Sequence, residues 1–245
     1  DSTNPWAVSF GVNAVDTKVS MTVPQNDKLL FEELYNPQGN WNIVPSVSYV
    51  NVARNVGGNF SFGLTGSFNK ISKWVNLNNQ EGTKATHKHD VVNPGDLNYY
   101  GVDGAITYSF KSLLKSKWFD PSLHLGGGYT FFGDASAGTV NGGWGLNLWF
   151  AKNVALTLGS TLKYGFDDKR VADSDVPTHI FHQAGLKFQF GAKDKDNDGI
   201  IDKEDSCPDV FGLAAFQGCP DTDGDGIQDS ADGCPEEAGT PEMNG

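Results

Sequence analysis

Eight segments within residues 1–192 alternate apolar side chains with small or polar ones. The letters F-S-F-G-L-T at residues 60–65 show the pattern, and the eight segments cover residues 6–16, 41–52, 60–69, 100–110, 119–131, 141–150, 154–166 and 179–190. Because successive side chains of a β-strand point to opposite faces, a period of two indicates strands with one apolar face and one small or polar face. The pattern therefore predicts an all-β fold of eight strands.

The length of these segments indicates the kind of sheet. Strands of about 10–13 residues are longer than those of most globular sheets and match transmembrane barrels, in which the apolar face meets lipid and small side chains fill a narrow lumen. No run of about 18 apolar residues occurs, so we expect no transmembrane helix. Aromatic residues near strand ends are expected to form a girdle at the membrane interface: Trp6, Trp41, Trp118, Trp149, Tyr164 and Phe190. Residues 1–192 are therefore predicted to form an eight-stranded antiparallel transmembrane β-barrel.

The connectors between the predicted strands alternate in length. The long ones cover residues 17–40, 70–98, 132–140 and 167–178, and the short ones cover residues 53–59, 111–117 and 151–153. Barrels of the bacterial outer membrane place long loops outside the cell and short turns in the periplasm. An even number of strands then places both chain ends in the periplasm.

The lumen positions indicate a filled barrel rather than a channel or an enzyme. Asp103, Lys163 and Lys187 fall on the inward face, and buried charges must pair, so we expect an ion network there. An eight-stranded barrel is just wide enough for its own side chains, which excludes a wide pore. Ser122 and His124 share the inward face, but no positioned acid or oxyanion donor accompanies them. We expect them to join a lumen hydrogen-bond network, and we expect no enzyme.

The acidic residues in excess all lie at the carboxyl end. Residues 193–245 hold 15 Asp and Glu against three Lys, whereas residues 1–192 are neutral, and the net charge of the chain is −12. This asymmetry predicts two domains, 1–192 and 193–245. The acidic part would repel phosphates, so it excludes a nucleic-acid partner.

A fifteen-residue pattern occurs twice in this acidic part. Residues 194–208 read D-K-D-N-D-G-I-I-D-K-E-D-S-C-P, and residues 221–235 read D-T-D-G-D-G-I-Q-D-S-A-D-G-C-P, at an offset of 27. Carboxylates at positions 1, 3, 5, 9 and 12 with glycine at position 6 suit calcium, which prefers oxygen ligands. The predicted ligands of the first site are Asp194, Asp196, Asp198, the Ile200 carbonyl, Asp202 and Asp205. Those of the second site are Asp221, Asp223, Asp225, the Ile227 carbonyl, Asp229 and Asp232. Without calcium, an acidic segment of this kind is expected to be disordered.

All three cysteines lie in the same segment. We predict a disulfide between Cys207 and Cys219, because a repeat with so few apolar residues needs a crosslink or a metal to hold it. The repeat register places the partner of Cys234 one position beyond Gly245, so we expect the chain to continue there. The alternative is three reduced cysteines.

The motif D-x-D-x-D-G-x-x-D-x-x-D-x-C-P resembles the type 3 thrombospondin repeat. That resemblance implies a calcium-wrapped repeat in which neighbouring repeats can share ions. With the strand G-L-K-F-Q-F-G at residues 185–191, the whole chain resembles the OmpA family in the form that carries calcium-repeat linkers. This resemblance implies a peptidoglycan-binding domain, which would lie beyond residue 245.

These observations together predict a structural protein of the outer membrane. The barrel would contact outer-membrane lipid, and the calcium-bound linker would tether the membrane to peptidoglycan. One alternative is an accessory subunit that docks other outer-membrane proteins in a larger complex. Another is a surface adhesin that uses the loops at 17–40 and 70–98.

Overall fold

The computed structural model describes residues 4–19, 37–76, 90–166, 174–191, 193–240, 243 and 245. The chain divides into two compact units, one formed mainly by Trp6–Phe190 and the other mainly by Gly191–Gly245. Among the described residues no helix is long and apolar enough to cross a membrane.

The first unit consists of antiparallel strands. They are β1 (Trp6–Asp16), β2 (Trp41–Ile43), β3 (Tyr49–Gly57), β4 (Phe60–Ile71), β5 (Trp74–Asn76), β6 (Asp90–Val92), β7 (Leu97–Ser109), β8 (Phe119–Phe132), β9 (Ala135–Ala151), β10 (Val154–Gly165) and β11 (His179–Phe190). Eight of them follow one another around the sheet in the order β1, β3, β4, β7, β8, β9, β10, β11, and β11 pairs with β1 from Trp6↔Phe190 to Asp16↔Ile180. This pairing closes an eight-stranded antiparallel barrel, which confirms the predicted fold class.

The predicted strand at 41–52 is divided into β2 and β3. Both parts pair with β1, but Pro45 lies between them, and proline has no N–H to donate to a sheet. Side chains bond across the gap instead: Asn69 Nδ2 donates to Asn13 Oδ1 at 2.5 Å and to the Asn42 carbonyl at 2.9 Å. Buried asparagines therefore replace backbone hydrogen bonds at this break.

Two of the predicted long connectors contain strands. The connector predicted at 132–140 is wrong, because β8 and β9 are joined by Gly133 and Asp134 alone and pair from Phe132↔Ala135 onward. Residues 135–139 have only small or polar side chains, so no apolar alternation marks them as a strand, yet their backbone continues the ladder. The connector at 70–98 contains the small β5–β6 sheet, which pairs Trp74 with Val92.

The outer wall of the barrel is apolar. Large side chains that project from it are exposed over 37–68 % of their surface, and they include Phe10, Val52, Leu64, Ile106 and Leu125. By contrast, the buried side chains of the lumen are largely polar, as for Asn13, Asn141 and Thr157. This distribution is the inverse of that in a soluble protein, where apolar side chains are buried.

A buried ion pair lies in the lumen. Lys163 Nζ lies 3.0 Å from Asp103 Oδ1 and donates to Tyr99 Oη at 3.1 Å, and its side chain is 1 % exposed. Asn141 Nδ2 donates to the same carboxylate at 2.7 Å. The predicted pairing of Asp103 with Lys163 is therefore present. Lys187, which we predicted to join this network, forms no ion pair with the residues that the structure describes.

Asp120 is the carboxylate that interacts electrostatically with Lys187, and it already accepts hydrogen bonds from other side chains. Asp120 accepts hydrogen bonds from Ser109 Oγ at 2.5 Å and from Trp149 Nε1 at 3.3 Å. Trp149 is buried, at 8 % exposure, so the prediction that it joins an interface girdle is wrong.

His124, which we predicted to join a hydrogen-bond network in the lumen, has a partner there. Its Nε2 atom lies 2.8 Å from Thr161 Oγ1, within hydrogen-bond distance.

One end of the barrel contains an aromatic cluster. It lies where β7 begins and β8 ends, and its fully buried members are Val15, Tyr49, Ile71, Trp74, Tyr99, Phe132, Val176 and Phe181. The rings of Tyr99 and Phe132 meet edge to face at 5.1 Å, and Trp74 meets Phe132 at 6.1 Å. Lys163 Nζ lies 5.5 Å from the Tyr99 ring, so the cluster packs directly against the buried ion pair.

Candidate metal centre

The first acidic loop of the tail brings three carboxylates together. Asp194, Asp196 and Asp198 each place an oxygen within 4.8 Å of the other two. Backbone N–H groups fix two of these side chains, because Gly199 donates to Asp194 Oδ2 at 3.1 Å and Ile200 donates to Asp198 Oδ1 at 2.8 Å. The loop is therefore folded back on its own side chains.

The second loop has the same arrangement 27 residues later. Asp221, Asp223 and Asp225 also place carboxylate oxygens within 4.8 Å of one another. Gly226 donates to Asp221 Oδ2 at 3.2 Å, and Ile227 donates to Asp225 Oδ1 at 2.8 Å. The proposed roles of the Ile200 and Ile227 carbonyls as ligands remain predictions, since the structure shows only what the two amides do.

Glycine at position 6 allows the chain to turn in both loops. Gly199 has φ 92° and Gly226 has φ 91°, in the left-handed region that glycine adopts without strain. The turn carries the following N–H groups back onto the carboxylates at positions 1 and 5.

Several carboxylate oxygens in these loops are buried and accept no hydrogen bond from the described residues: Asp194 Oδ1, Asp196 Oδ2, Asp205 Oδ2, Asp223 Oδ2 and Asp232 Oδ2. Loss of hydration raises the pKa of Asp196 above its ordinary value, and the charges of Asp198 and Asp205 raise this pKa further. The pKa of Asp223 is raised in the same way. Buried oxygens without donors, grouped with like charges, are what a bound cation would satisfy.

Position 12 lies beside each group of three. Asp205 Oδ1 accepts the Cys207 N–H at 2.6 Å, and Asp232 Oδ1 accepts the Cys234 N–H at 2.6 Å. In each case the second oxygen has no donor, and its charge acts on the position-3 carboxylate. Position 12 is therefore placed to complete the oxygen cluster.

Position 9 spans the loop instead of joining the cluster. Asp202 Oδ1 accepts the Lys195 N–H at 2.8 Å, and Asp229 Oδ1 accepts the Thr222 N–H at 2.7 Å. Asp229 Oδ2 also accepts the Thr222 hydroxyl at 2.6 Å. These bonds hold position 2 to position 9. A direct or water-mediated bond from Asp202 or Asp229 to a cation remains a prediction.

A disulfide closes the segment that follows the first loop. Cys207 and Cys219 are bonded, with their Cα atoms 5.0 Å apart, and enclose a short 3₁₀ helix at Ala214–Phe216. The Gly212 N–H within this segment donates to Asp198 Oδ2 at 3.2 Å, a contact that we did not predict from the sequence. The repeat offset was a usable signal for it, because Gly239 makes the same bond to Asp225 Oδ2 at 3.0 Å.

Gly218 is a second residue whose role the sequence pattern did not indicate. Its φ is 86°, and a Cβ at this position would collide with Asp205 Oδ1. The absence of a side chain at Gly218 therefore leaves room for the carboxylate at position 12. Its signal was again the repeat, since Gly245 has the same φ and would meet Asp232 in the same way.

The donor set consists of oxygen atoms from carboxylates. Hard divalent cations prefer such ligands, whereas softer transition metals favour imidazole and thiolate. Cys207 and Cys219 are joined to each other, which removes both thiols from metal binding. The arrangement can therefore hold a hard cation and link distant parts of the loop through it.

Comparison with known proteins agrees with this description of the tail. A family model described as the thrombospondin type 3 repeat matches residues 192–210 and 219–241. No curated protein matches the chain.

Several solved structures resemble the barrel. OprG, an outer membrane protein from Pseudomonas aeruginosa, is 10 % identical with a TM-score of 0.47, over 78 % of this chain and 97 % of its own. Ail, the attachment invasion locus protein of Yersinia pestis, is 12 % identical with a TM-score of 0.42, over 76 % of this chain and 99 % of its own. Neisserial surface protein A is 12 % identical with a TM-score of 0.42, over 76 % of this chain and 97 % of its own. These similarities are too distant to support a conclusion about function. The barrel fold is assigned from the strand pairing alone. The two loops of the tail are thrombospondin type 3 repeats, and they follow a closed eight-stranded barrel in the chain.

Proposed function

We propose that this protein is an outer-membrane anchor whose barrel, residues 1–192, spans the membrane and whose tail, residues 193–245, is a calcium-bound periplasmic linker. The observation that carries the membrane part is the apolar outer wall around a polar lumen. Soluble monomers rarely expose large contiguous apolar surfaces, whereas a lipid bilayer covers such a wall. A closed barrel also leaves no strand edge unpaired, as a bilayer requires.

The proposed orientation of the barrel in the outer membrane is based on the position of the chain ends relative to the connectors. Trp6 and Phe190 pair at the end of the barrel that carries the short turns after β3, β7 and β9. The long connectors of outer-membrane barrels lie at the extracellular end. In this barrel the long connectors after β1, β4 and β10 all lie at the opposite end, beside the two-residue turn at Gly133 and Asp134, so we place the tail that follows Phe190 in the periplasm. The Cys207–Cys219 disulfide is consistent with that oxidising compartment.

Calcium fits the two loops of the tail. The oxygens without hydrogen-bond donors belong to Asp194, Asp196 and Asp205 in the first loop and to Asp223 and Asp232 in the second. Bound calcium supplies positive charge that offsets the repulsion among these carboxylates. The chain supplies the rest: Gly199 and Ile200 hold the carboxylates in place through their N–H groups.

The proposed mechanical role is a compact spacer. The tail has few apolar residues, so calcium loops and a disulfide take the place of an apolar core. We propose that this spacer connects the barrel to peptidoglycan through a cell-wall-binding domain that would follow residue 245. The resemblance to the OmpA family supports this connection.

A second candidate is an accessory subunit of a larger outer-membrane complex. It is favoured by a groove of about 260 Å³ that opens on the apolar wall, lined by Val12, Ala14, Trp41, Ile43, Trp144 and Leu158 among others. The adhesin alternative depends on loops of which residues 20–36 and 77–89 lie outside the described residues. It remains a prediction from the sequence.

Arginine substitutions on the outer wall test whether the barrel spans the membrane. Val102 is exposed in the middle part of β7, and Val56 is exposed near the short turn after β3. Arginine is expected to cost about 2–4 kcal/mol near the bilayer midplane and about 0–1 kcal/mol near its edge. Val102→Arg should therefore reduce the folded fraction in outer-membrane preparations much more than Val56→Arg. Equal amounts of the two folded variants would contradict the membrane assignment.

Purification of the full-length protein from detergent-solubilised membranes distinguishes the tether hypothesis from the subunit hypothesis. Co-purification with peptidoglycan alone supports the tether. A stoichiometric membrane complex supports the subunit. In the second case Ala184→Phe, which fills the groove, should release the partner, while Val102→Phe elsewhere on the wall should not.

A further inference from the structure

The turn between β7 and β8 differs from the two other turns at the same end of the barrel, those after β3 and β9. It is the longest of the three, and residues 110–118 read F-K-S-L-L-K-S-K-W, with three lysines and no acidic residue. Leu113, Leu114 and Trp118 are exposed over 68 %, 51 % and 62 % of their surfaces. The turn therefore presents apolar side chains and positive charge together.

Hydrogen bonds hold this turn in one conformation. Leu114 N–H donates to the Phe110 carbonyl at 2.9 Å, and Ser116 N–H donates to the Lys111 carbonyl at 3.1 Å. Lys115 adopts φ 49°, a left-handed conformation that a helix end normally gives to glycine. A lysine is thus displayed at a position where the backbone itself favours glycine.

The three lysines are not equivalent. Lys111 Nζ lies 4.5 Å from the ring of the buried Trp149, so this ammonium group is held against the end of the lumen. Lys115 and Lys117 are exposed and lie on either side of Ser116. These two ammonium groups are therefore available to a ligand outside the barrel.

The surrounding rim carries the same sign of charge. Among the described residues of the three short turns and their flanks, 54–60, 109–119 and 151–154, Arg54 and Lys152 join the three lysines and no acidic residue occurs. Leucine and tryptophan side chains enter the boundary between headgroups and acyl chains, while lysines extend along them to the phosphates. A soluble anion would use the charges but would leave the leucines exposed.

We propose that the turn Phe110–Trp118 binds anionic phospholipid headgroups, with Leu113, Leu114 and Trp118 in the interface and Lys115 and Lys117 on the phosphates. The inference rests on the membrane position of the barrel proposed above and adds a lipid preference to it. The ligand class is a phospholipid with net negative charge, such as phosphatidylglycerol, in the leaflet at the short-turn end.

The test measures how much phosphatidylglycerol and phosphatidylcholine the full chain retains, by native mass spectrometry after release from mixed-lipid nanodiscs containing calcium. One basic residue near an anionic surface contributes about five-fold in binding, so the pair contributes about 25-fold. K115G/K117S should therefore lose about 25-fold in phosphatidylglycerol retention and little in phosphatidylcholine retention. K115G gives the left-handed position the residue that it favours, so this substitution should not prevent folding.

Two further variants complete the design. K70S removes an exposed lysine from the opposite end of the barrel, where Lys70 pairs with Asp96, and should leave lipid retention unchanged. L113S/L114S should lower the retention of both lipids. Wild-type retention by K115G/K117S, or no phosphatidylglycerol preference in the wild type, overturns the proposal. Unchanged lipid retention by L113S/L114S overturns the proposal as well. Binding would then depend on charge alone, as it would for a soluble anion. Failure of the barrel to enter nanodiscs would instead contradict the membrane position.

Discussion

Asp198 bonds to Gly212 across fourteen residues, and this contact joins the first acidic loop to the disulfide-closed segment. Asp198 Oδ2 accepts the Gly212 N–H at 3.2 Å, while Asp198 Oδ1 accepts the N–H of Ile200 within the loop. Anything that loosens the segment around Gly212 therefore also frees one oxygen of a proposed calcium ligand.

Removal of the disulfide should weaken the first calcium site. C207S/C219S opens a short loop, which by the chain-entropy model removes about 2–3 kcal/mol of stability from the tail. Calorimetry should show lower affinity at the first loop and little change at the second. C234S is the control, because Cys234 is an exposed free thiol. Wild-type calcium affinity at the first loop of C207S/C219S would mean that the Gly212 contact does not couple the disulfide to the calcium site.

Gly218→Ala should damage the first calcium site through a collision. The new Cβ would meet Asp205 Oδ1, and the backbone at φ 86° would also be strained. Gly224→Ala separates the two effects, since Gly224 has φ 78° but no atom near the new Cβ. We expect Gly218→Ala to lower calcium affinity much more than Gly224→Ala. Similar losses in the two variants would assign the effect to backbone strain alone.

Neutral substitutions should distinguish ligands from bracing residues. Asp196→Asn removes a charge from the oxygen cluster and should abolish tight calcium binding at the first loop. Asp202→Asn keeps an oxygen that can accept the Lys195 N–H, so its effect should be smaller, about 10-fold or less. Isothermal titration calorimetry of the full chain measures both. A larger loss for Asp202→Asn would make position 9 a direct ligand.

Chelation should affect the tail and spare the barrel. Without calcium the carboxylates of each loop repel one another, so residues 193–245 should become sensitive to protease. The barrel contains no such cluster among its described residues and should keep its folded mobility on unheated SDS gels. A tail that resists protease equally well in chelator and in calcium would contradict the metal assignment.

The lumen ion pair should be important for barrel stability. Lys163→Met leaves the Asp103 carboxylate buried without its cation and is expected to cost about 3–5 kcal/mol. The double variant Asp103→Asn with Lys163→Met should recover part of this loss, because no unpaired charge remains. Urea unfolding in lipid vesicles measures both values. If the double variant lost as much stability as the single variants Asp103→Asn and Lys163→Met added together, the two groups would not interact.

The sequence predicted most accurately what depends on local pattern. The strands at residues 6–16 and 179–190 were predicted residue for residue, since apolar and small or polar side chains alternate over most of each segment. Similarly, the clustering of Asp194, Asp196 and Asp198 follows from spacing within one loop. These features need no knowledge of distant parts of the chain.

Features that depend on distant contacts were missed. The break beside Pro45 is bridged by Asn69, which comes from the neighbouring strand. The lengthening of β9 from Ala135 onward depends on pairing with β8 rather than on apolar alternation. Trp149 was misplaced because it lies near a strand end, although the period of two puts it on the inward face with Asn147, where its indole N–H bonds to Asp120.

The aromatic cluster around Tyr99 and Phe132 has a consequence for the cell as a whole. In the membrane position proposed here, these rings fill one end of the barrel interior. Each copy would therefore add attachment strength without opening a path for solutes through the barrel. The abundance of such a protein would be limited by membrane area and by synthesis, and not by leakage.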